Sequence, residues 1–194
     1  MYQIFLGKIS QLSVAPLAPE LTDQAPTGAR RASWLAGRAL LSAAITPVPA
    51  MRYGVNGKPA FAPEVQRGFS LSHSGDAIAL LFSDEGEVGC DIEVIRPRPH
   101  WPRLAENLFS PGERAQIAAK PVSQQLAAFW RIWTIKEAII KQRGGSAWQM
   151  ASIDSTAPSA LSVSALQTGE LSLAVCTPTP FELTPETIKV TGTL

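Results

Sequence analysis

Residues 129–145 read FWRIWTIKEAIIKQRGG, and the placement of their charges governs how the rest of the chain is understood. At about 100° per residue, Leu126, Ala128, Phe129, Trp130, Ile132, Trp133, Ile135, Ile139 and Ile140 cover a wide apolar arc of one helix. Ser123 offers an N-cap, and Gly144-Gly145 a stop. Glu137 projects inside the arc, between Trp130 and Trp133. Arg131, Thr134, Lys141 and Gln142 form the polar remainder, with Lys141 at the border. One reading is an (i, i+4) surface pair between Glu137 and Lys141, worth about 0.2–0.5 kcal/mol. The other starts from the cost of an uncompensated buried charge, roughly several kcal/mol, which a metal shared with further carboxylates would offset.

Those carboxylates are found upstream, in VGCDIEVI at 88–95. A strand's period of two puts Val88, Cys90, Ile92 and Val94 on one face and Gly89, Asp91 and Glu93 on the other. A lone D-x-E often marks the solvent face of an edge strand. Here the preceding AIALLFS at 77–83 is an unbroken apolar run, as in a strand covered on both faces. Gly89 is expected to leave space above the acids. Paired carboxylates at a half-buried position suit a hard cation such as Mg²⁺, which takes oxygen ligands and retains waters that substrate phosphates can replace.

Composition limits the alternatives. With 194 residues, 45% of them hydrophobic, the chain can form one large domain or two lobes. Lys and Arg total 17 against 16 for Asp and Glu, so no overall field marks it for nucleic acid or a membrane surface. The N-terminus lacks a signal-peptide pattern, and no apolar run approaches the roughly 18–20 residues of a membrane span. Cys90 and Cys176 lie in apolar runs and read as buried thiols. A cytoplasmic, monomeric protein is expected.

The proline-rich RPRPHWPR at 96–103 divides the chain, giving lobes at 1–97 and 98–194. The first contains a strand at MYQIFLGKIS and a helix at 27–45, with Trp34, Arg38, Leu41 and Ile45 on one face. A hairpin follows at MRYGVNGKPAF, whose Asn56-Gly57 suits a tight primed turn. ALSVSAL and ELSLAVCT in the second half alternate as half-buried strands do. The arrangement is α+β.

Weaker signals surround these. LSHSG reads as a small-residue turn, or as a phosphate contact through backbone N–H groups, Ser72 and His73. GKPAF reads as a hairpin, though Lys58 beside the rigid Pro59 would suit an anion. Arg30, Arg31 and Arg38 read as a solvated helix face or a phosphate-binding group.

Taken in order, GARRASWLAGRALL, GKPAF, FSLSHSG, VGCDIE, FSPGE and FWRIWTIKEAIIKQRGG resemble the motifs of the two-lobed 4′-phosphopantetheinyl transferases of the surfactin-synthetase-activator type. G-x-D-x-E followed by W-x-x-K-E-A-x-x-K at this separation is the specific part. Within the family the chain looks most like a holo-[acyl-carrier-protein] synthase for fatty-acid or polyketide carriers. The resemblance implies two similar α+β lobes about a pseudo-twofold axis with coenzyme A between them. A serine of an apo acyl carrier protein attacks the β-phosphorus and 3′,5′-ADP leaves. By motif position, Asp91, Glu93 and Glu137 match the Mg²⁺ ligands, with Glu137 also the candidate base. Ser72 and His73 match the S-H-S-G phosphate segment, and Lys136 and Lys141 the lysines of the helix, Lys141 as a pyrophosphate contact. Gly57, Lys58 and Pro59 match the adenine and 3′-phosphate pocket, and Arg30 and Arg31 the basic pair beside it. The segment DSTAPSALSVS at 154–164 carries no assigned motif. Rival readings are a Mg²⁺-dependent phosphohydrolase acting on coenzyme A-like substrates and a non-enzymatic coenzyme A- or carrier-binding module.

Overall fold

A computed structural model describes residues 1–192. The chain passes through β1 (Tyr2–Lys8), the single-turn helices α1 (Ile9–Leu12) and α2 (Pro19–Thr22), and α3 (Arg31–Ala44). A small hairpin, β2 (Met51–Tyr53) and β3 (Pro59–Phe61), precedes β4 (Gly68–Ser74), β5 (Ala77–Ser83) and β6 (Gly89–Val94). Then come α4 (Trp101–Leu108), α5 (Pro111–Ala118), α6 (Val122–Gln142), β7 (Ser162–Thr168), β8 (Leu171–Thr177) and β9 (Ile188–Thr191). The mixed α+β character expected from the sequence is present.

Two main sheets, ordered β4-β5-β1-β9 and β6-β8-β7, form the centre. Strand alternation divides their side chains between three apolar layers. Phe5, Phe69, Leu80 and Phe82 pack beneath Leu40 and Leu41 of α3. Ile4, Leu6, Ala79 and Leu81 meet Cys90, Ile92, Leu173 and Val175 of the second sheet. Ala174 and Cys176, on that sheet's far face, lie under Ile135, Ala138 and Ile139 of α6. The order is therefore helix, sheet, sheet, helix, and AIALLFS is covered on both faces as its composition suggests. β9 pairs in parallel with β1, Ile4 opposite Ile188, so the end of the described chain completes the first sheet.

Several local expectations are corrected. LSHSG is not a turn: Ser72, His73 and Ser74 continue β4, and only Gly75-Asp76 link it to β5. Asn56-Gly57 is not a primed two-residue turn either. Gly57 alone takes a left-handed φ of 78°, and Gly57 N–H donates to Gly54 O while Gly54 N–H donates to Lys58 O, a longer loop. Helix α6 starts at Val122 after Pro121, without a side-chain cap from Ser123. The proline-rich segment contributes Trp101–Arg103 to α4, where Pro102 sits in the first turn, a place that needs no amide donor. Helix α5 was not read from the sequence, although FSPGE carries its signature: Ser110 Oγ accepts from Glu113 N–H while the Glu113 carboxylate accepts from Ser110 N–H.

Candidate active site

The site lies where the edges of the two sheets meet under α6. Alternation along β4 turns Ser70, Ser72 and Ser74 toward β6. Their short hydroxyls join the edges where no backbone ladder runs. Ser70 Oγ accepts from Cys90 N–H (2.9 Å), Ser72 Oγ donates to Asp91 Oδ1 (2.8 Å) and Ser74 Oγ donates to Glu93 Oε2 (2.6 Å). Gly89, Asp91 and Glu93 share a face as expected, but Gly89 does not leave open space. A Cβ there would collide with the Ala138 carbonyl, so the glycine admits the backbone of α6.

That close approach brings Lys141 to Asp91. Lys141 Nζ donates to Asp91 Oδ1 at 2.7 Å and to Ser72 Oγ at 2.9 Å, instead of forming a surface pair with Glu137. Asp91 is buried, and its Oδ2 has no hydrogen-bond partner. Burial raises the Asp91 pKa even though Lys141 opposes the shift. Half-buried Glu137 is also raised, first by desolvation and then by the Asp91 charge, with a smaller contribution from Glu93. Burial works against the Lys141 charge, but Asp91 outweighs it and raises the lysine. Three carboxylates thus share one field.

Lys141 and Glu137 line a cavity of about 330 Å³ together with Gly57, Lys58, Pro59 and Ser70. Lys58 Nζ is tied to Glu87 Oε2 (2.6 Å) and Val88 O (3.1 Å). Pro59 and Leu71 also border a second cavity of about 220 Å³, lined by Arg30, Trp34, Arg38, Tyr53, Ser72 and His73. Arg38 is no solvated residue: it is 4% exposed, its guanidinium lies 4.1 Å from the centre of the Trp34 ring, and its Nε has no partner. Arg31 is exposed and turns toward Ala25 O.

Lys136 is placed elsewhere. Its side chain is 0% exposed, with Nζ donating to Glu113 Oε2 (2.6 Å) and Ile153 O (2.5 Å). Consecutive residues on a helix differ by about 100°, and here Lys136 turns to Glu113 while Glu137 lines the cavity. Thr134, expected in the polar remainder of the helix, is likewise buried, sharing a hydrogen bond with Ser172.

Among the described residues, no three His, Cys, Asp or Glu side chains are drawn together closely enough to hold a metal as they stand. The donor set nevertheless fits a hard cation: its donor atoms are all oxygen, Asp91 Oδ2 is buried without a partner, and burial together with the neighbouring Asp91 charge raises Glu137.

Residues 87–183 match the family described as the 4′-phosphopantetheinyl transferase superfamily. A Salmonella typhimurium protein named 4′-phosphopantetheinyl transferase AcpT is 67% identical over 188 residues, which is 97% of this chain and 98% of the relative. The Escherichia coli K12 protein of that name is 64% identical over 189 residues, 97% of each chain. This chain belongs to the 4′-phosphopantetheinyl transferase superfamily. The Bacillus subtilis 168 transferase Sfp shares 34% identity over 88 residues, 45% of this chain and 38% of its own.

The superfamily match contains Asp91, Glu93, Glu137 and Lys141 but not the arginine-lined cavity, which the full-length relatives span. In this transferase, sequence reasoning underrated two residues. Arg38 had a signal in its place beside Trp34 on the buried face of α3. Glu113 had one in the capping box of FSPGE, but its pairing with Lys136 across 23 residues had none.

Proposed function

We propose that this chain transfers the 4′-phosphopantetheine arm of coenzyme A to a serine of an apo acyl carrier protein and releases 3′,5′-ADP. The observation that carries the reading is Lys141 bridging Asp91 and Ser72 beside Glu137, at the mouth of a cavity lined by the Gly57-Lys58-Pro59 segment. Phosphoryl transfer needs positioning and charge neutralisation more than covalent chemistry from the protein. The nucleophile comes from the partner.

In this reading the carrier serine Oγ gives its proton to Glu137 and bonds to the β-phosphorus. The bond from that phosphorus to the bridging oxygen breaks, and 3′,5′-ADP takes the electron pair. Lys141 faces the charge that develops on the pyrophosphate. Arg30, Arg38 and His73 supply cationic and hydrogen-bonding groups for the 3′-phosphate, with Arg31, exposed beside Arg30, as the second member of the basic pair. Gly57, Lys58 and Pro59 border the adenine end. Asp91, Glu93 and Glu137 would hold Mg²⁺, which when bound would offset pyrophosphate charge.

The two helix-backed sheets are read as the cores of two lobes, 1–97 and 98–194, about a pseudo-twofold axis, with β6 and β9 each crossing into the other lobe's sheet. Buried thiols support a reducing compartment: burial pushes Cys90 up to about 12 and Cys176 to about 11. No described helix is long and apolar enough to cross a membrane. A cytoplasmic monomer serving fatty-acid or polyketide carriers is proposed.

The test is to incubate the protein with coenzyme A, Mg²⁺ and a panel of apo-carrier proteins, and to follow each carrier by intact mass. The expected result is addition of one phosphopantetheine arm. Release of 3′,5′-ADP at the same rate without carrier would instead identify a phosphohydrolase, and coenzyme A binding without turnover a binding module.

A further inference from the structure

Two cations hold the candidate metal ligands, and they hold them differently. Lys141 grips Asp91 at 2.7 Å, a normal length for a charge-assisted hydrogen bond. Arg96 reaches Glu93 Oε2 only at 3.3 Å and shares the same guanidinium nitrogen with Ser74 Oγ (3.1 Å) and Val94 O (3.3 Å). Its side chain is 51% exposed, so it can leave Glu93 for water with little desolvation cost. The residue itself is well anchored. Fully buried Trp130 donates from Nε1 to Arg96 O at 3.0 Å, and the guanidinium lies 5.1 Å from the centre of that ring. Pro97 follows and fixes the next backbone angle. The backbone of Arg96 is therefore held while its charge is free to move.

We propose that Arg96 is a built-in competitor for Glu93, a positioning residue that sets the affinity of the three-carboxylate site for divalent cations. The inference rests on the metal reading of Asp91, Glu93 and Glu137. A dication taking Glu93 must displace the guanidinium and bind against its charge. Removing Arg96 therefore strengthens metal binding. A merely structural role would weaken it, because Glu93 would lose a neighbour that orients it. A partly exposed ion pair contributes about 0.2–1 kcal/mol, which corresponds to an affinity change of up to about five-fold.

Mn²⁺ binding to the full-length protein, without coenzyme A, can be followed by electron paramagnetic resonance, with thermal melts confirming that every variant is folded. Arg96→Gln is expected to bind Mn²⁺ about two- to five-fold tighter than wild type, and Arg96→Lys close to wild type. Arg98→Gln is the control: Arg98 lies over the same Trp130 ring, at 5.3 Å, and over Trp133, at 4.6 Å. It should leave the affinity unchanged. Unchanged or weaker binding by Arg96→Gln overturns the proposal, as does equal tightening by Arg98→Gln, which would reveal a nonspecific charge effect. Equal Mn²⁺ binding by wild type and Asp91→Ala would remove the three-carboxylate reading itself, and the competitor with it.

Discussion

Lys136 and Glu137 are neighbours in sequence with opposite fates, and each gives a test. Glu137→Gln keeps the size and one oxygen of the side chain while removing its charge and most of its basicity. Turnover should fall by about 10²–10⁴-fold, the range for a positioned acid or base. Coenzyme A binding measured by calorimetry should stay within a few-fold of wild type, and normal turnover would remove Glu137 from the chemistry. Lys136 is buried against Glu113, so Lys136→Met leaves a carboxylate without its counter-ion. A loss of about 3–5 kcal/mol in urea unfolding is expected. Glu113→Gln combined with Lys136→Met should regain much of it, and the double variant should bind coenzyme A normally. A stable Lys136→Met protein that had lost coenzyme A binding would return Lys136 to the cleft.

At the scale of elements, the site depends on how closely α6 lies on β6. The Ala138 carbonyl occupies the place where a side chain at residue 89 would begin, so Gly89→Ala must push the helix outward. Overpacking of this kind costs about 1–3 kcal/mol, and collision with backbone belongs at the upper end. Stability should fall by that amount in chemical denaturation, and transfer should fall further because Lys141 moves away from Asp91. Full activity in a destabilised variant would show that this spacing is unimportant to the chemistry. The strand face of Asp91 and Glu93 and the apolar arc of α6 were legible because periods of two and 3.6 are local properties. Gly89 was misread because its neighbour lies about fifty residues onward. The serine row of β4 was hidden in what looked like a turn, since Ser and Gly are turn formers whenever no partner strand is known. The depth of Arg38 and the Glu113–Lys136 pair depend on tertiary packing, which local patterning does not contain.

For the whole molecule, the burial of Glu137 beside the Asp91 charge should appear in the pH dependence of stability. Below the ordinary carboxylate range, near about 4, folded and unfolded chains both carry the Glu137 proton. As pH rises the unfolded chain releases it first, because the folded pKa is raised, so this group's contribution to stability falls until the folded value is passed and is level thereafter. Glu137→Gln lacks that decline. Urea unfolding in chelator across pH 4–7 should therefore show the variant gaining on wild type as pH increases, whereas a difference independent of pH would contradict the shift. Another molecule-wide consequence follows from β9. During synthesis β1 emerges first and can pair with β5 early, but its other edge finds no backbone partner until residues 188–191 have left the ribosome. A chain stalled before Ile188 would present that edge as a template for intermolecular strand addition. The parallel strand that closes the sheet therefore also makes the emergence of residues 188–191 the moment at which that edge ceases to be a hazard.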